Sequence, residues 1–271
     1  MPALAYLDTS ILWAQRFGHS SQKHELASIT KPYYLSAYTL MEYYRGVLIP
    51  LINLYFESGE HKSFDDACRF FAASFSIRTV KLVLLSTLEL LKYEGFDVSA
   101  QEKKELCRQE LSDLIFLLAE ELQISQYKNA GIAVEKCTRF SKHLKLSDGD
   151  RENVLFKFAA SFDDVKAARS SCRIHKFLTN PKFDHYFSCV IDGTEKNLAH
   201  HRENLAKERA NSGATTCHKC SKLGDIVIAA NAPTSAEIHT LDSAFVSLGK
   251  CLGRTVVVHP SVQQLRDTNS G

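Results

Sequence analysis

Four acidic side chains stand where apolar, strand-like segments give way to helix-like ones. Asp8 directly follows Ala3-Leu-Ala-Tyr-Leu7, and Glu42 lies in the helix-like Thr39-Leu-Met-Glu-Tyr-Tyr-Arg-Gly46 that comes after the strand-like Tyr33-Tyr-Leu-Ser-Ala37. Asp225 opens the apolar Gly224-Asp-Ile-Val-Ile-Ala-Ala-Asn231, and Asp242 ends Ile238-His-Thr-Leu-Asp242. Carboxylates gathered closely repel one another, so a fold that collects them holds hard divalent cations, Mg²⁺ or Mn²⁺, through oxygen ligands and water. Such an ion lowers the pKa of a bound water, orients it towards a phosphodiester phosphorus and offsets charge on the leaving oxygen. The chemistry open to these residues is therefore phosphodiester hydrolysis without a protein nucleophile.

Acids so far apart in sequence meet only if one architecture collects them. In open α/β sheets the ligand crevice lies beyond the carboxyl ends of the strands, and each of these acids falls at such a place. The strand-like segments, together with Thr255-Val-Val-Val258 near the end of the chain, predict an α/β fold with an open, mainly parallel sheet flanked by helices. Each acid also has a local reading. Asp8 and Asp242 could cap helices, Asp225 could answer the dipole of a helix start, and Thr39-x-x-Glu42 has the form of a capping box.

Tyr6-Leu-Asp-Thr-Ser10, Leu35-Ser-Ala-x-Thr-x-x-Glu-x-x-x-Gly46, Gly224-Asp-x-x-Ile-Ala229 and Thr240-x-Asp-x-x-Phe245, taken in this order, resemble the PIN-domain nucleases. The likeness spans about residues 3–50 and 215–260. It implies a PIN-like core in which Asp8, Glu42, Asp225 and Asp242 are the catalytic residues and hold Mg²⁺ or Mn²⁺. It also implies that Thr9, Ser10 and Thr240 hydrogen-bond the carboxylates or a metal-bound water, beside their local reading as backbone caps. The activity implied is that of an endoribonuclease, with RNA the substrate ahead of DNA, and a toxin or defence role belongs to the same resemblance. The alternative is a catalytically idle PIN-like module that binds nucleic acid or protein.

From Leu51 to about Asn211 strand signals give way to amphipathic helical patterns, so residues 1–50 and 212–271 are expected to form the α/β core around a helical insertion at 51–211. Helices are predicted at about 64–76, 80–93, 101–124, 128–143, 151–162, 164–178 and 195–210. In the longest, Leu106, Leu111, Leu114, Ile115, Leu118 and Leu122 are placed on one face. The polar stretch with His200-His201 reads as a solvated helix, and Arg266–Gly271 as a loose tail. The insertion is also where a protein partner or a second copy would bind.

The net charge is only +2, so any nucleic-acid surface has to come from local clustering. Lys166, Arg169, Arg173 and Lys176, spaced three, four and three, fall on one helical face suited to a phosphate backbone, with a solvated face as the plain alternative. Eight cysteines are too few for a disulfide scaffold in 271 residues, and with no leader or membrane-length apolar run the expected location is the cytoplasm, away from membranes. Cys217-His-Lys-Cys220 reads first as a turn, with a structural zinc site and a redox pair as alternatives that lack a clear second ligand pair or a thioredoxin-like context.

Overall fold

The computed structural model describes residues 4–29, 33–74, 99–123, 150–167, 174–210 and 223–269. Of these, 42–74, 99–123 and 150–163 form one compact unit, and the others form a second. This division differs from the expected one at both ends: the helical unit begins at Glu42, and 164–210 goes with the sheet.

The sheet unit starts with β1 (Leu4–Leu7), α1 (Thr9–Phe17), α2 (Ser20–Leu26), β2 (Tyr33–Leu35) and α3 (Ala37–Tyr43). Four parallel strands are arranged β2-β1-β3-β4, where β3 is Ala236–Thr240 and β4 is Thr255–Val258. Leu7 stands opposite Leu35 on one side and His239 on the other. Strand β2 runs only to Leu35 because Ser36 turns the chain into α3: its Oγ accepts the Thr39 N–H at 2.7 Å. Ser36 is therefore the cap, and Thr39, expected to cap, lies inside the helix.

From Ala37 the backbone stays helical through a π-turn at Tyr44–Leu48 into α4 (Ile49–Glu60), with Pro50 just after the π-turn, where the hydrogen-bond ladder is already irregular. Gly46 and Pro50 thus do not end the helical path. The helical unit continues with α5 (Phe64–Ser74), α6 (Ala100–Gln123) and most of α7 (Arg151–Ala167). Ser99 and Glu102 make a reciprocal capping box at the start of α6. Its buried row is Cys107, Leu111, Ile115 and Leu118, whereas Leu106 is 39% exposed, one position off that row. α7 runs through the break expected at residue 163, where Phe162-Asp-Asp164 supplies no helix breaker. The helices predicted at 80–93 and 128–143 lie outside the described residues.

The sheet unit resumes with α8 (Ile174–Leu178), α9 (Asp184–Asp192), α10 (Ala199–Ala210) and α11 (Gly224–Asn231), then β3, α12 (Ala244–Cys251), β4 and α13 (Val262–Asn269). Its core joins Tyr6 of β1 and Ile238 of β3 to Phe177, Phe187, Ile226 and Leu248. Full burial of each such side chain contributes about 1.5–3 kcal/mol. Of the tail expected to be loose, residues 266–269 belong to the helix Val262–Asn269, at whose start Ser261 N donates to Gln264 Oε1 at 2.7 Å in a box the polar composition concealed. Cys189 on α9 and Cys251 at the end of α12 form a disulfide. Cysteine usage therefore no longer supports a cytoplasmic location, since structural disulfides are rare there. Among the described residues no helix is long and apolar enough to cross a membrane.

Candidate active site

In the order β2-β1-β3-β4 the chain builds β2 on one side of β1 and later adds β3 on the other, so the topological switch lies between β1 and β3. Ligand crevices of parallel α/β sheets form beyond the carboxyl ends of the strands at that point. Asp8 follows β1 and Asp242 follows β3.

Asp8 caps α1, as its local reading requires, and does more. Its Oδ1 accepts Thr9 N–H at 2.6 Å, while Oδ2 accepts Ser10 N–H at 3.3 Å, Ser10 Oγ at 2.5 Å and Thr240 Oγ1 at 3.0 Å. The two hydroxyls each reach onward to the exit of β3: Ser10 Oγ accepts Leu241 N–H at 3.1 Å and Thr240 Oγ1 accepts Asp242 N–H at 2.9 Å. Asp242 Oδ1 then accepts Ala244 N–H at 2.8 Å at the start of α12. One buried carboxylate thereby fixes both loops that rim the switch point. Burial raises the Asp8 pKa above its ordinary value, opposed by the hydrogen bonds from Ser10, Thr240 and Thr9.

Asp225 lies in the first turn of α11, where an acid is favoured by the helix dipole. Its Oδ2 is 3.7 Å from Nε2 of His201 on α10. His201 is only 6% exposed, and burial lowers its pKa while the charge of Asp242 acts the other way. Asp225 thus lies beside the ring of His201. This histidine was expected on a solvated helix; it instead occupies the buried row Leu198, His201, Leu205 and Glu208. The signal that could have found it is its place between two leucines at helical spacing.

A second pair of histidines lies behind the acids. His239 Nδ1 and His259 Nε2 are 2.9 Å apart, with Glu237 3.9 Å from the other nitrogen of His239. The ring centroids are 5.2 Å apart, which is the N···N distance plus about two ring radii, so the rings meet head to head in an N–H···N hydrogen bond. His239 O accepts Asp8 N–H at 3.0 Å and His259 N–H donates to Thr240 O at 2.8 Å, so this pair braces the same two residues from their backbone side. Burial lowers the pKa of both.

The structure thus links Asp8, Thr9, Ser10, Thr240 and Asp242 directly and sets Asp225 beside His201. Thr9 acts here through its backbone N–H. Glu42, half-buried near the end of α3, is the first residue of the helical unit and is described with it. Lys176 is exposed on α8 and Lys166 lies in α7; the Lys166 side chain, Arg169, Arg173, Cys217 and Cys220 are outside the described part of the molecule. Among the described residues no three His, Cys, Asp or Glu side chains close on one point as they would around a metal ion. The chemistry of the donors nevertheless suits one: Asp225 lies beside His201, whose Nδ1 is buried without a hydrogen-bond partner. Comparison with protein-family models, curated proteins and solved structures finds no match for the chain.

Proposed function

We propose that this chain is a divalent-metal-dependent phosphodiesterase with a PIN-like sheet unit, acting as an endoribonuclease. The observation that carries the reading is the placement of Asp8 and Asp242 on the two sides of the β1/β3 switch point, tied through Thr240 Oγ1. Asp225, 3.7 Å from Nε2 of His201, is the third acid of the reading. Asp225 and Asp242 would hold Mg²⁺ or Mn²⁺, with Asp8 positioning the loops that carry them. When bound, such an ion lowers the pKa of a water and offsets charge on the leaving oxygen. The choice of RNA over DNA, the inclusion of Glu42 and a toxin or defence role rest on the sequence resemblance. The Lys166–Lys176 row belongs to the proposal as a contact for the phosphate backbone, and a zinc ion at Cys217 and Cys220 remains a separate alternative to a turn.

The second reading, an idle binding module, draws on the fact that Asp8 already accepts four hydrogen bonds. Turnover of a mixed-sequence RNA in Mn²⁺, with and without chelator, separates the two. The nuclease reading requires cleavage that stops in excess EDTA and falls by orders of magnitude in Asp242→Asn, which retains the cap to Ala244 N–H. Glu42→Gln, assayed in parallel, decides whether the fourth acid takes part. Undiminished cleavage in EDTA, or full activity in Asp242→Asn, would overturn the proposal.

A further inference from the structure

The helical unit carries a cavity of its own. Among the described residues it has a volume of about 730 Å³ and lies along α6, where Glu105, Leu106, Arg108 and Ser112 line it together with Tyr55 of α4 and Arg151 of α7. A space of this size suits a small organic ligand. The guanidinium of Arg108 is set in place by α4. Its Cζ lies 4.7 Å from the centre of the Tyr55 ring, and a Cβ on Gly59, one turn further along α4, would come within 3.3 Å of Nη2. Gly59 has no positive φ, so what it supplies is room for the guanidinium rather than a turn.

Held there, Arg108 keeps donors to spare. Glu105 Oε2 and Glu152 Oε1 are each 3.6 Å from a guanidinium nitrogen, beyond hydrogen-bond reach, and Nε has no hydrogen-bond partner. Ser112, one turn on from Arg108, is only 5% exposed, and its Oγ lacks a partner as well. The acids beside the cavity are not equivalent. Glu102 is taken up by Ser99, which donates to it through both N–H and Oγ, and Glu152 does not line the cavity. Glu105 Oε1 accepts Gln101 Nε2 at 3.0 Å, which leaves Oε2 next to Arg108 Nη1 with no hydrogen bond between them. The cavity thus sets an acceptor and a donor side by side, both open to a third group. Leu106, 39% exposed, adds an apolar wall.

We propose that this cavity binds a guanine base. Guanine places the donor N1–H next to the acceptor O6, with the acceptor N7 beyond it, and arginine pairs with O6 and N7 through two N–H groups. Arg108 makes that pairing, Glu105 Oε2 accepts N1–H, and the flat face of the base covers Leu106, as unstacked bases are held on their edges and faces by protein. Adenine and cytosine present an amino donor next to a ring acceptor, which is the reverse order, and uracil has no counterpart of N7. The base comes from a free guanine nucleotide or from unpaired RNA, and the recognition is the same for both. This inference depends neither on a bound metal ion nor on cleavage.

The test is calorimetric titration of the full-length chain, in EDTA, with the monophosphates of guanosine, adenosine, cytidine and uridine, so that sugar and phosphate are common to all. Guanosine monophosphate is expected to bind about tenfold more tightly than the other three. Equal affinity for the guanosine and adenosine nucleotides, or no binding of either at millimolar concentration, overturns the proposal. Glu105→Ala, at an exposed position, should weaken the guanosine nucleotide by about tenfold, whereas Glu152→Ala should change it by less than about twofold. Losses of equal size in the two variants would overturn the pairing of Glu105 with N1–H. The 7-deaza analogue of the guanosine nucleotide lacks the N7 acceptor and should bind about tenfold more weakly, a comparison that decides the part of Arg108 even if Arg108→Ala does not fold. Equal binding of the analogue would overturn that part. An oligoadenylate with one central guanosine, beside the all-adenosine strand, distinguishes the sources: a gain from the guanosine shows that a base within RNA enters, and no gain, with the mononucleotide still bound, shows that the ligand is the free nucleotide. Because the titrations exclude metal, their failure leaves the metal-dependent reading standing, and absent cleavage leaves this one standing.

Discussion

Thr240 Oγ1 donates to Asp8 Oδ2 across 3.0 Å, joining residues 232 positions apart in the chain. The same oxygen accepts Asp242 N–H at 2.9 Å, so a single hydroxyl holds one acid and the backbone of another. Thr240 is fully buried. Thr240→Val keeps the shape but leaves Asp242 N–H without its acceptor and removes one of the four donors to Asp8, and is expected to cost about 2–4 kcal/mol. Thr240→Ser restores the hydroxyl and should recover most of that loss. Urea denaturation of the two variants beside the parent checks this, and equal stability of all three would mean that the bridge contributes nothing.

Replacing Asp225 or Asp242 by Asn asks separate questions of fold and function. Asn caps a helix about as well as Asp does, and Asp242→Asn keeps an oxygen for Ala244 N–H. If the two aspartates only serve their helices, melting in EDTA should fall slightly through the lost interaction with the dipole, with activity unchanged. As members of a cluster of like charges, each Asn variant should melt in EDTA at the same temperature as the parent or higher, while turnover in Mn²⁺ collapses. Differential scanning calorimetry and an RNA cleavage assay on the same preparations give both readouts.

Stability should fall on the acid side of neutrality. His201, His239 and His259 all have pKa values lowered from the ordinary 6.5, chiefly by burial. A depressed pKa means that the unfolded chain binds protons first, so this contribution is complete above pH 6.5 and is lost as pH falls through the folded values. The charge of Glu237 on His239 and of Glu25 on His259 opposes the shift without reversing it. Double protonation also breaks the hydrogen bond between His239 and His259, since each facing nitrogen would then carry a proton. Denaturation midpoints measured between about pH 8 and about pH 5 should decline, and less steeply in His259→Gln. A flat profile in the parent would contradict this.

The disulfide between Cys189 and Cys251 spans 62 residues. By the chain-entropy argument, a closed loop of that length stabilises the fold by about 4 kcal/mol. Reductant should therefore lower the denaturation midpoint of the parent and leave that of a Cys189→Ser, Cys251→Ser double variant unmoved. A parent indifferent to reductant would show that the bond is absent or without weight in solution.

The strand ends of this fold are legible because strands of a parallel sheet read as short apolar runs, and two of the acids, Asp8 and Asp242, stand just after them. All four expected strands form, with boundaries moved by a residue or two. What was hidden depends on contacts distant in sequence. His201 looked solvated because Arg202, Glu203, Lys207 and Arg209 surround it, and only the packing of α10 against Asp225 turns it inward. Thr39 looked like the cap because Glu42 follows at the right spacing, yet Ser36 captures the Thr39 N–H first. The pairing of Cys189 with Cys251 follows from α9 and α12 lying side by side, and no local spacing encodes it.

Strand β4 pairs with β3 and, among the described residues, with nothing on its outer side. Thr255-Val-Val-Val258 is four β-branched residues in a row, and Val258 is 40% exposed. An uncharged edge of this kind is a template for strands from other copies, the first step of cross-β association. Arg254 on one flank sets a charge against that growth, and Pro260 on the other removes an N–H two residues past the strand. The chain's resistance to aggregation at this edge therefore depends on the shortness of β4 and on those two flanking residues.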